Sequence, residues 1–246
     1  IVNLAYAYLN KFHDTKSEQW LLRYEQTINQ LAEVDPNHKQ ISYLAATLAL
    51  RRGNAEKASE LLKILVSKYP ADEFLHFELA RAYQQLKEHT LAEQSYHTAL
   101  NINAKNWKGL NLLGRLYYRT AQFDKAIATY QKFIELTPKN KSAFIGLSAS
   151  YYGKGELESA LIYAREANDI TPTANGYSNI GGFHFILGQY SEAIAAYKMS
   201  IAIDKQNYVS WGNLADSYWL IKHPETNATY KQAADLAQKV YTINPQ

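Results

Sequence analysis

Four of the six prolines, Pro36, Pro70, Pro138 and Pro172, sit on a 34-residue grid, with one position skipped between the second and third. Ala58, Ala92, Ala126 and Ala160 keep the same interval, and Ala193 follows after 33 residues. Tyr83, Tyr117 and Tyr151 repeat it, as do Leu79, Leu113 and Leu147. Residue classes that share one period and a fixed phase constrain the chain more than any other feature. They mark one supersecondary unit used again and again, too small to bury its apolar face alone and stacked on its neighbours.

Within a unit the spacing is helical. From Trp107 to Pro138, Leu110, Leu113, Gly114 and Tyr117 fall three and four apart, on one helix face. Thr120 to Asp124 interrupts that pattern, and Ala126, Ile127, Tyr130, Phe133 and Ile134 resume it on a second helix. Thr137-Pro138 ends it, because the residue before a proline is pushed out of the helical region. Gly53, Gly155 and Gly188 occupy the matching place between two helices, where a left-handed residue closes the first one. The recurring alanine lets the paired helices approach closely.

Composition removes several function classes. The 246 residues hold no cysteine, which excludes disulfide scaffolds, thiol catalysis, iron–sulfur clusters and Cys-based zinc sites. A net charge of +3, from 26 basic and 23 acidic residues, is too balanced for a surface built wholly around nucleic acid. The longest mostly apolar stretch, Tyr43 to Leu50, falls well short of the roughly 20 residues of a spanning helix. No membrane insertion is expected, and with no secretory leader at Ile1 the expected location is cytoplasmic.

Leu113-Gly114-x-x-Tyr117 with Ala126, Tyr130 and Pro138 resembles the tetratricopeptide repeat. Leu79-Ala80-x-x-Tyr83, Leu147-Ser148-x-x-Tyr151 and Ile180-Gly181-x-x-His184 open further units, the last with His in the usual Tyr place. Ala45-Ala46-x-x-Ala49 and Leu214-Ala215-x-x-Tyr218 open two more, and Leu4-Ala5-x-x-Tyr8 a degenerate first one. The resemblance implies an all-α, right-handed α-α superhelix, a solenoid of about seven helix pairs forming one domain over 1–246. Its expected units are 1–37 (with an insertion), 39–71, 73–105, 107–139, 141–173, 174–206 and 208–246, the last with an insertion near 223–228.

The resemblance also implies that first helices line a concave groove. On that register the groove carries Phe74, Phe77, Arg81, Lys108, Asn111, Arg115, Tyr118, Arg119, Tyr152, Asn179, Phe185, Asn213 and Trp219 as candidate peptide-binding residues. Ile145, Ala149, Asn175, Ser178 and Gly182 share the inner phases, as do Tyr43, Thr47 and Arg51. Arginines offer bidentate carboxylate recognition and aromatics large contact area, so an acidic and aromatic peptide is the expected partner. The alternative is that the arginines pair with Glu78 or other internal carboxylates and that the aromatics pack between units. Asn179 and Asn213 share one repeat position, which in some members of the family holds peptide backbone.

No phosphate loop, G-x-S-x-G elbow or H-E-x-x-H occurs, and the seven histidines are scattered, so no catalysis and no cofactor or metal are expected. The function expected from the resemblance is protein–protein interaction. The final unit resembles the last repeat of certain large bacterial proteins with a kinase or winged-helix domain, and the start at Ile1 suggests a piece of such a regulator. A free-standing scaffold is the alternative, with single-stranded nucleic acid or a small ligand as lesser ones. Oligomeric state stays open, including whether Tyr241 and Ile243 leave an apolar edge at the end of the chain.

Overall fold

In the computed structural model, residues 1–36, 38 and 40–243 are described, with side chains through Val240; Tyr241, Ile243 and Asn244-Pro245 thus lie outside the described side chains. Fourteen helices and no strand occur among the described residues. They are α1 (Val2–Thr15), α2 (Glu18–Val34), α3 (Ile41–Arg51), α4 (Ala55–Lys68), α5 (Glu73–Gln85), α6 (His89–Ile102) and α7 (Trp107–Arg119). Then follow α8 (Phe123–Leu136), α9 (Lys141–Lys154), α10 (Leu157–Ile170), α11 (Ala174–Ile186), α12 (Tyr190–Ile203), α13 (Tyr208–Leu220) and α14 (Thr226–Ile243). The architecture is all-α, built of seven helix pairs.

Each pair turns on one backbone device. Gly53, Gly155 and Gly188 have φ of 75°, 88° and 73°. Lys16, Lys87, Ala121 and Lys222 adopt the same left-handed conformation at the equivalent places, with φ between 55° and 62°. The hinge thus recurs in all seven pairs, and glycine relieves it in three. Several helices start on a polar cap: Asn54 accepts from the Lys57 N–H, Asp72 from Phe74 and Leu75, and Asn207 from Ser210. The second helices α4, α6, α8, α10 and α12 have 14 residues each, whereas α2 has 17 and α14 has 18. Extra residues in the first and last units therefore lengthen the second helix.

The chain forms two compact units, one of Ile1–Gly109 and one starting at Leu110. In each, helices pack chiefly on their chain neighbours. Ala58, Ala92, Ala126, Ala160 and Ala193 are all wholly buried, as the close approach of paired helices demands. Tyrosines of second helices wedge against the first helices of their own or the following pair. In the second unit Tyr130 lies where a Cβ on Gly146 would come within 2.2 Å of its ring, and Tyr197 crowds Gly181 at 2.7 Å. In the first unit Tyr24 is buried and its hydroxyl donates to the Leu44 carbonyl at 3.1 Å. A polar set also enters the second unit's core: Arg165 Nη2 donates to His184 Nε2 at 2.8 Å, so His184 Nδ1–H donates to Gln189 Oε1 at 2.6 Å.

Candidate functional site

The second unit carries a groove of about 570 Å³ bounded by α9, α11 and α13. Caps place these helices. Asn140 accepts from the Ser142 N–H at the start of α9, and Thr173 Oγ1 from the Gly176 N–H at the start of α11. Helical periodicity then brings Ile145, Ala149 and Tyr152 of α9 to one wall. Asn175, Ser178, Asn179 and Gly182 of α11 face it, and Val209 and Asn213 of α13 close the far side. Tyr152 meets the Phe183 ring with centroids 5.5 Å apart. Ile145, Tyr152, Ile186 and Val209 are each about half exposed, an uncommon state for four large apolar side chains around one concavity.

Polar groups also enter the groove lining. Asn168 of α10 is 2% exposed, and its Oδ1 accepts from the Thr173 N–H at 3.0 Å. Lys141 Nζ donates to the Thr171 carbonyl at 2.6 Å and lies 3.5 Å from Thr173 Oγ1. Lys141 is the one charged side chain among the described lining residues. The arrangement can offer hydrogen bonds of both senses and apolar contact. Among the described residues no group of three or more His, Asp or Glu side chains converges as metal ligands do.

In the first unit a smaller pocket of about 360 Å³ is lined by Tyr6, Gln40, Tyr43, Leu65, Tyr69, Asp72, Phe74 and Leu75. Nearby, Arg81 binds the Glu78 carboxylate at 2.7 Å. Burial, and next the Arg81 guanidinium, pull the Arg51 pKa below its usual value. Burial, reinforced by the Glu78 carboxylate, pushes the Tyr43 phenol up to about 12.

The candidate residues divide between these places. Tyr152, Asn179 and Asn213 line the groove of the second unit. Phe74, 63% exposed, lines the pocket of the first. Phe77 is buried instead, because its ring fills the space that a side chain at Gly109 would take and meets Tyr96. Phe185 turns to Tyr190, with centroids 5.6 Å apart, and joins the core around Tyr197. Arg81 is engaged by Glu78, and Lys108 lies over the Trp107 ring. In the second unit Arg115, Arg119 and Tyr118 are exposed, Tyr118 against Phe123, while Asn111 is half-buried. Trp219 is 64% exposed but lies outside the groove lining.

Sequence reasoning missed Lys141, Asn168, Thr173, Phe183, Ile186 and Val209. Ile186 falls at the repeat position of Arg51 and Arg119, a signal that could have found it. Asn168 carried none, since it comes from a second helix. No helix of the described residues is long and apolar enough to cross a membrane.

Two family models described as tetratricopeptide repeat match the chain, one over residues 43–106 and 111–175 and the other over 174–207. The tetratricopeptide repeat protein 21 homolog of Caenorhabditis briggsae is 30% identical over 174 residues, covering 69% of this chain and 13% of its own length. The human protein O-mannosyl-transferase TMTC1 is 26% identical over 223 residues, covering 87% of this chain and 24% of its own length. The chain therefore spans about a quarter or less of these curated relatives. Among solved structures, the C-terminal part of a repeat-containing protein from Cytophaga hutchinsonii superposes with a TM-score of 0.69 at 17% identity, covering 79% of each chain, a likeness of fold.

Proposed function

The chain belongs to the tetratricopeptide repeat family, whose members generally mediate protein–protein interaction, and from that premise we propose that the α9–α11–α13 groove holds an extended segment of a partner protein. The observation that carries the reading is the groove lining itself: carboxamides of Asn175, Asn179 and Asn213 interleaved with half-exposed Ile145, Tyr152 and Val209. A carboxamide both donates and accepts, so it matches a peptide unit whatever side chains the segment bears. The apolar residues supply the contact area. The role is non-catalytic, that of a scaffold or docking arm. A docking arm of a longer regulatory protein is one form of this reading and a free-standing scaffold the other, and the sequence of the complete gene separates them.

The groove reading is tested with the purified chain and an array of synthetic random-sequence peptides, followed by anisotropy titration of the captured sequences. Each hydrogen bond lost costs about 0.5–1.5 kcal/mol, so Asn179→Ala with Asn213→Ala weakens binding about tenfold across unrelated sequences. Affinities unchanged by that double substitution overturn the reading.

A further inference from the structure

Most glycines of the second unit's helices have a packing cause. A Cβ on Gly114, Gly146 or Gly181 would strike a tyrosine ring, one on Gly153 the Phe123 ring, and one on Gly176 the Asn168 carboxamide. Gly182 has none. It lies in the interior of α11, where glycine weakens a helix, and an added Cβ would meet only the Tyr197 hydroxyl, at 3.9 Å. It lines the groove instead, together with Ala149, Tyr152 and Phe183. Gly212 of α13 is similarly open but does not line the groove. Among the described residues, the Lys141 ammonium pairs with no carboxylate and the Asn168 amide nitrogen donates no hydrogen bond.

Resting on the groove reading above, we infer that the segment held there carries a bulky apolar side chain seated at Gly182 and an acidic side chain facing Lys141 and Asn168. Charge complementarity selects the acid: the lining bears one positive charge and no negative one. The recess selects the apolar residue, because the touching rings of Tyr152 and Phe183 line the same groove as the open position at Gly182. Ala149 lines the groove with Gly182 and lies eight positions beyond Lys141 on α9, about 12 Å along the helix. An extended chain advances about 3.3 Å per residue, so the two side chains stand at least three or four residues apart.

The experiment is a positional-scanning array of synthetic 10-residue peptides read with the parent chain, Gly182→Leu and Lys141→Glu. Circular dichroism and melting temperature confirm that each variant is folded. The parent is expected to select Leu, Phe or Trp together with Asp or Glu at that separation. Gly182→Leu fills the recess, its Cβ in ordinary contact with the Tyr197 hydroxyl alone; it weakens the selected peptides at least tenfold and reselects Gly, Ala or Ser at the apolar position. Lys141→Glu reselects Lys or Arg at the acidic one. Selection of neither feature, or affinities indifferent to Gly182→Leu, overturns the inference while leaving the groove reading standing. Failure to capture any peptide removes both. A dimer of this chain that Gly182→Leu dissociates assigns the groove to a second copy and also overturns it.

Discussion

Replacing Gly146 by alanine tests the packing that shapes the second unit. An ideal Cβ there lies 2.2 Å from Tyr130 Cζ, 2.3 Å from Cε1 and 2.7 Å from Cε2. Carbon atoms in contact prefer about 3.5–4.0 Å, so the ring must withdraw by more than about 1 Å. It has little room, since Tyr130 is 2% exposed and a Cβ on Gly114 would already press on it at 2.8 Å. Overpacking of this kind costs about 1–3 kcal/mol, and the upper end applies to a ring held on two sides. Alanine returns about 0.8–1 kcal/mol of helix propensity. The net loss is about 1–2 kcal/mol, a fall in melting temperature of roughly 2–8 °C for a chain of this size. Thermal and urea melts followed by circular dichroism measure it. Gly182→Ala is the control: it gains propensity with no clash and is stabilised by about 0.5–1 kcal/mol. In a Tyr130→Leu background, which lacks the obstructing ring atoms, Gly146→Ala costs nothing further. A Gly146→Ala chain as stable as the parent, with that coupling absent, refutes the wedge.

Three further outcomes follow from the same structure. Ala121 sits at φ 56°, so Ala121→Gly relieves the left-handed hinge and raises the urea midpoint, by about 0.5–1 kcal/mol of stability. Tyr43, Tyr130 and Tyr197 are each pushed up to about 12 by burial, whereas an unfolded chain gives up these protons near pH 10. Between pH 10 and 12 the folded state holds more protons, so stability is intact below 10 and falls as pH climbs through that window; urea midpoints beside a tyrosinate absorbance titration check this. Gln189→Leu strands the buried His184 Nδ1–H and costs about 1–3 kcal/mol in the same melts, whereas a solvated histidine would leave them unmoved.

How far the site was legible follows from which contacts repeat. The period announces the helix pairs, and the phase of Ala149, Tyr152, Asn179 and Gly182 brings them to one groove. Asn168 escapes such reasoning because it reaches the groove from α10, accepting from the Thr173 N–H in a bond that no spacing encodes. Phe77 and Phe185 hold inner phases yet turn into the core, since a rotamer carries each ring toward a neighbour: the gap at Gly109 for one, Tyr190 for the other.

The sequence by itself determined the all-α class, the paired helices and the hinge between them, because spacing, capping and glycine placement are local properties that recur with the period. Only the tertiary structure decided which inner-phase residues face the groove, that the Phe77 ring fills the gap at Gly109, and that only the Tyr197 hydroxyl comes near the space at Gly182. Those outcomes depend on side-chain directions and on neighbours a full repeat away, which helical phase alone does not specify.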